Sequence, residues 1–273
     1  MGLKVMAPDV AALATLTALS PVLAFGNCAL VNSAQAQSTH AAPSTRQQIA
    51  LPHPRPDASA PAQAEADEAT VHRVELPENF RELARQSGEP QIPGLTIVYL
   101  HPLGLPAEAV KWRNIIVHQT EGPPGSAKSS ALAQAKNPTK RGVMVWVETD
   151  GTVYWSTAET AIPTHGDGAN RNDNKYIDNS KTYHSVIKTN SIGVEFVGNY
   201  PDVAKPPTRE QAQAWLALVR FLQERYDIPA ENIYAHNWID FKDRRYCEGC
   251  ELATLARKLG YQPGRRAADS AKE

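Results

Sequence analysis

The sequence predicts an α/β or α+β domain. Two observations carry this. Short apolar runs with strand character alternate with segments of helical periodicity, the pattern of a sheet packed against helices. One pair of runs, Gly142–Val147 and Thr152–Trp155, flanks Thr149-Asp150-Gly151, a strong hairpin signal.

The elements follow in order. Leu95–Leu100 is the first strand. Asn114–His118 is the second, apolar enough in Ile115-Ile116-Val117 to be buried on both faces. Gly122-Pro123-Pro124-Gly125 breaks the chain, and Ser126 stands as the cap of a helix running to Ala135. After the hairpin, residues 162–190 are long, polar and aperiodic, which inside a compact domain marks a functional or mobile loop. Ser191–Val197 is a further strand. Thr208-Arg209-Glu210-Gln211 is a capping box, and Trp215, Leu218, Val219, Leu222 and Tyr226 line one face of the helix it opens. Asn232–Ala235 is a short strand that delivers His236. Glu251–Leu259 is a last helix, with Arg257 and Lys258 in its final turn, where the helix dipole favours cations.

Upstream of this domain the composition changes. Residues 1–36 read as an export signal: Lys4, an apolar run from Val10 to Leu19, and the small-x-small triplet Ala34-Gln35-Ala36. A retained anchor is the alternative, but the run is short and broken by Pro21, whereas a spanning helix needs about 20 residues. Cys28 raises a lipid-modified terminus, although Phe25-Gly26-Asn27 lacks the residues that usually precede such a cysteine. Residues 37–92 are a Pro/Ala-rich linker, too poor in large apolar groups to offset chain entropy, with a short docked helix possible around Leu76, Phe80 and Leu83. The functional domain is expected over 93–262, with a polar tail over 263–273. These signals place the protein outside the cytoplasm, in the periplasm or cell envelope, with no stable membrane insertion once the signal is removed.

The net charge of −1 over 273 residues gives no global field toward nucleic acid or a membrane surface. Of the three cysteines, Cys28 leaves with the signal. Cys247 and Cys250 form a lone C-x-x-C, which fits metal ligands, a redox pair or a disulfide. An oxidising compartment makes the disulfide a real competitor.

Chemistry concentrates near the C-terminal end, where His236, Arg245 and Cys247 share one loop, and His118 closes the second strand far upstream. His118, His236 and Cys247 together would give zinc three protein ligands and leave a fourth position open, the arrangement of a catalytic site. Glu195 sits inside the apolar strand Ile192–Val197, where a carboxylate is costly unless it is paired or functional.

These pieces resemble the type-2 family of zinc-dependent N-acetylmuramoyl-L-alanine amidases, whose fold is shared with phage lysozyme-type amidases and peptidoglycan recognition proteins. The resemblance runs from about Gly94 to Tyr261. It rests on the strand ending in His118, the Thr149-Asp150-Gly151 hairpin, Asn190–Glu195 followed by Gly198-Asn199, and Ile228–His236 running on to Cys247-Glu248-Gly249.

The resemblance implies a single mixed central sheet flanked by helices, and a monomer that hydrolyses the amide between N-acetylmuramic acid and L-alanine in peptidoglycan or muropeptides. It makes His118, His236 and Cys247 the ligands of Zn2+. Glu195 becomes the acid that orients or deprotonates water, and Arg245 the cation that steadies the oxyanion, a role Lys242 is also placed to take. His165, in Pro163-Thr164-His165-Gly166, matches a loop at the site edge, with substrate contact and plain surface equally open. Asp240, Lys242 and Asp243 read as a solvated loop.

The sequence departs from the family at Val143 and Met144, where many members carry an aromatic residue or histidine. It departs again at Glu248, where a proline usually follows the third ligand, and at Cys250, an extra thiol whose pairing with Cys247 would remove that ligand. The alternative function is a peptidoglycan-binding module without hydrolysis.

Overall fold

The structure, a computed structural model, describes residues 74–166, 178–240 and 246–259. Six strands form one sheet: β1 (Ile97–Tyr99), β2 (Asn114–Gln119), β3 (Val145–Val147), β4 (Val153–Trp155), β5 (Ser191–Phe196) and β6 (Ile233–Ala235). Their order across the sheet is β1-β4-β3-β5-β2-β6. Every neighbouring pair is parallel except the β3–β4 hairpin, so the sheet is mixed as expected. β2 lies between β5 and β6, and all six of its residues are buried, which is what its unbroken Ile115-Ile116-Val117 run requires.

The two faces are covered unequally. One carries the main core. Ile115, Val117, Val145, Val147, Ile192, Val194 and Phe196 point to this face and meet helix α3 (Arg209–Tyr226) and helix α5 (Cys250–Leu259). The helical stripe read from the sequence is the packed face of α3: Trp215, Leu218, Val219 and Leu222 are fully buried. Its first turn closes as the capping box predicts, with Gln211 N donating to Thr208 Oγ1 at 3.1 Å and Thr208 N donating to Gln211 Oε1 at 3.0 Å.

The opposite face holds two small clusters. In one, Ala127 and Ala131 of α2 (Ser126–Lys136) pack with Val143, Trp146 and Val197; in the other, Ile116 packs with Val186 and Ile239. His118, Glu195 and Trp146, in register with one another, project from this same face. Ser126 does not cap α2. Gly125 occupies the cap position, and the first turn is served instead by Glu148, whose Oε2 accepts from Ala127 N at 3.2 Å.

The packed region reaches upstream of Pro93. Helix α1 (Phe80–Arg85) buries Phe80 and Ala84 in the main core. Arg225 of α3 holds its end, donating to the carbonyls of Ala84 at 3.0 Å and Gln86 at 2.9 Å. Among the described residues no helix is long and apolar enough to cross a membrane. The expected export signal over 1–36, most of the expected linker and the expected tail over 263–273 lie outside the described residues.

A candidate metal centre and the family it belongs to

Each side chain of the site is delivered by the end of an element. His118 stands near the C-terminal end of β2, and His236 begins the short helix α4 (His236–Ile239) directly after β6, the neighbouring strand. Parallel strands that end together bring residues distant in sequence to one rim of the sheet. The two imidazole rings have centroids 4.2 Å apart. The loop before α5 returns to the same rim. Gly249 N donates to Gln119 Oε1 at 2.8 Å, and a Cβ at Gly249 would lie 2.2 Å from the carbonyl oxygen of Val117. Its φ of 80° adds a second reason for glycine. This contact holds Glu248 over β2.

His118 Nδ1 and His236 Nδ1 both face Glu248 Oε1, at 3.2 and 2.9 Å. One ligand atom from each of the three residues falls within 4.8 Å of the others. All three residues are buried, at 3%, 0% and 6% exposure, so each pays the cost of losing water. Burial alone would raise the Glu248 pKa. The hydrogen bonds from His118 and His236 outweigh it and hold the carboxyl well below the ordinary glutamate range, so the group is an anion. Two imidazoles and one carboxylate converging in a desolvated pocket are a donor set suited to a divalent cation of borderline softness such as zinc.

Around this centre, Asp240 Oδ2 lies 3.7 Å from His236 Nε2. Asp240 is buried, not solvated: it follows α4 and turns back under the histidine. His165 Nδ1 lies 3.3 Å from His118 Nε2.

Of the residues expected at the site, His118 and His236 are brought together. Cys247 is not with them, because it is bonded to Cys250, and a disulfide sulfur has no thiolate to offer a metal. The third place in the cluster is taken by its neighbour Glu248, which sequence reasoning treated only as a departure. The one signal for it was its position, next to the expected ligand and followed by a glycine. Glu195 pairs in register with His118 on one side and Trp146 on the other, so all three project from the same face of the sheet, and its side chain is half-buried. Arg245, Lys242 and Asp243 lie outside the described residues. Val143 is buried against Gly193, and Met144 belongs to the main core, so neither reaches the rim.

Residues 108–250, more than half of the chain, match the family model described as N-acetylmuramoyl-L-alanine amidase. The chain belongs to this amidase family. No curated protein sequence matches it. Similar solved structures include the N-acetylmuramoyl-L-alanine amidase LysC from Clostridium intestinale URNW, at 16% identity and a TM-score of 0.40 over 61% of this chain and 99% of that one. A mutant endolysin from Bacillus subtilis is 19% identical, with a TM-score of 0.37 over 54% and 88% of the two chains. Drosophila PGRP-LB is 15% identical, with a TM-score of 0.36 over 53% and 79%.

Proposed function

We propose that the protein is a zinc-dependent hydrolase of the amide between N-acetylmuramic acid and L-alanine, acting as a monomer on peptidoglycan or muropeptides in the cell envelope. The observation that carries this is the convergence of His118 Nδ1 and His236 Nδ1 on one ionised carboxylate oxygen, in a chain of the amidase family. His118, His236 and Glu248 would hold the metal. Zinc, when bound, supplies Lewis-acid polarisation of the scissile carbonyl and acidifies the attacking water.

The remaining steps belong to the chain's own residues. Glu195, in register with His118, takes a proton from water onto its carboxylate as the C–O bond forms, then returns it to the amine nitrogen as the C–N bond breaks. Arg245 answers the negative charge that develops on the carbonyl oxygen. A guanidinium does not give up its proton, so its part is electrostatic.

A second reading of the third ligand rests on the Cys247–Cys250 bond. Asn237, the residue after His236, donates to Cys247 Sγ at 3.6 Å, so the sulfur lies close to the rim. Reduction would free a thiolate, a strong zinc ligand, to compete with Glu248 for the same place.

Cleavage of a purified muramyl-peptide tests the proposal. The zinc-loaded protein should release free peptide bearing a new amino terminus at L-alanine. Glu195→Gln should slow this about 10²- to 10⁴-fold with zinc content unchanged. Tight muropeptide binding without release would replace the enzyme with a recognition module.

A further inference from the structure

We propose that His165 is a positioning residue that fixes the tautomer of His118, and does not serve as a substrate contact. The inference rests on the metal-site reading above. His165 Nε2 lies 3.0 Å from the backbone carbonyl oxygen of Ser191. A carbonyl only accepts, so Nε2 carries the hydrogen. In neutral His165 the other nitrogen, Nδ1, then presents its lone pair, and it faces His118 Nε2 at 3.3 Å. His118 Nε2 must therefore donate, so Nδ1, which without a metal holds the proton it gives to Glu248, is the nitrogen left to offer its lone pair once a cation displaces that proton. The two rings meet edge to face, with an interplanar angle of 82° and centroids 5.3 Å apart, a geometry that suits an in-plane N–H donor. The chain Ser191 carbonyl, His165, His118 thus sets which nitrogen of a buried ligand is kept for the metal. A ligand histidine usually gives its second N–H to an outer partner of this kind.

The surroundings are built for this placement. A Cβ at Gly193 would come within 3.0 Å of His165 Nδ1, and a Cβ at Gly166 within 2.9 Å of His236 Nε2, so both glycines leave room for rings. The strap that carries His165 is tied down. Thr164 N donates to Lys140 O at 3.0 Å, Gly142 N donates to Thr164 O at 3.2 Å, and Thr164 Oγ1 donates to Thr139 O at 3.2 Å. A residue held by its backbone on one side and by Ser191 on the other is poorly free to follow a substrate.

The test measures zinc affinity by chelator competition on the full chain, for wild type, His165→Phe and His165→Asn. His165→Phe should bind zinc about 10- to 100-fold more weakly. His165→Asn keeps an acceptor oxygen near the position of Nδ1 and should recover most of the loss, which a purely structural role would not predict. Nitrogen-15 NMR of the zinc-loaded wild type should show His118 protonated at Nε2, a readout that survives even if a variant folds badly. A bare Nε2 on His118 overturns the proposal. So does unchanged zinc affinity in His165→Phe with only KM raised, which would make His165 a substrate contact. Failure of the zinc-loaded wild type to cleave muramyl-peptide would sink the amidase reading alone, because affinity and tautomer are read without turnover.

Discussion

Glu159 and Glu248 are two of the buried carboxylates, and their partners make them different things. Glu159 meets a permanent cation. Arg225 donates to both of its oxygens, at 2.8 Å to Oε2, while Tyr226 donates its hydroxyl to Oε1. The same guanidinium donates to the carbonyls of Ala84, Gln86 and Gly104, so it fastens α1 and the loop after β1 to α3. Burial opposes the charge on Arg225, but Glu159 and its neighbours outweigh this and raise its pKa above the ordinary arginine value. Burial and the Glu159 charge push the Tyr226 hydroxyl far above its usual range. Arg225 and Tyr226 both keep their protons at neutral pH. Glu248 instead meets two imidazoles, whose nitrogens switch between donor and lone pair with tautomer and protonation. A guanidinium has no lone pair to give a metal, and an imidazole does. The first carboxylate is therefore structural, and the second belongs to a site that can trade a proton for a cation.

The largest effect should come from breaking the structural knot. Arg225→Met leaves Glu159 buried without its cation and should cost about 3–5 kcal/mol, read as a lower denaturant midpoint. Zinc uptake by the folded fraction should be unchanged, because Arg225 lies on the other face of the sheet from His118. Equal stability of this variant and wild type would erase the distinction drawn above.

Glu248→Gln should act oppositely. It should weaken zinc binding by at least about 10-fold under oxidising conditions, with a small effect on metal-free stability. If Cys247 competes when reduced, a reducing agent should restore much of the zinc affinity of Glu248→Gln, and Cys247→Ser should abolish that rescue. Retention of full zinc affinity by oxidised Glu248→Gln would remove Glu248 from the ligand set.

Glu248 also answers to pH. The folded state depresses the Glu248 pKa, so its contribution to metal-free stability is complete above the unfolded glutamate pKa of about 4.3 and is lost as the pH falls below it toward the folded value. Acid titration of metal-free wild type should therefore show a steeper loss of stability below about pH 4.3 than Glu248→Gln does. Parallel acid limbs would contradict the depressed pKa.

The smallest effect serves as the control. Thr208→Ala removes the cap of α3, which lies on the core face, and should cost about 1 kcal/mol while leaving zinc affinity untouched.

The readable parts of the sequence were those governed by local chemistry. The unbroken apolar run of β2, the Thr149-Asp150-Gly151 turn and the Thr208–Gln211 box each contain their own cause, and each forms the element expected of it. His118 and His236 were legible because both close apolar runs, and a polar residue in that place needs a partner. Ser126 misled because a serine before a helical stretch resembles a cap, while the actual cap partner, Glu148, arrives from the turn after β3. Glu248 and Cys247 were harder still. Which of two adjacent residues faces a pocket depends on the backbone turn at Gly249 and on whether Cys247 is bonded to Cys250, and neither has a periodicity to read. Arg225 was hidden for the same reason: its five donors are matched by segments from across the chain.

The most direct test of the central claim is zinc stoichiometry of the purified protein beside two variants, His236→Ala and Arg225→Met. The account predicts one zinc per chain in wild type, none in His236→Ala, and one per folded chain in Arg225→Met. Zinc retained by His236→Ala, or no zinc in wild type, would contradict it.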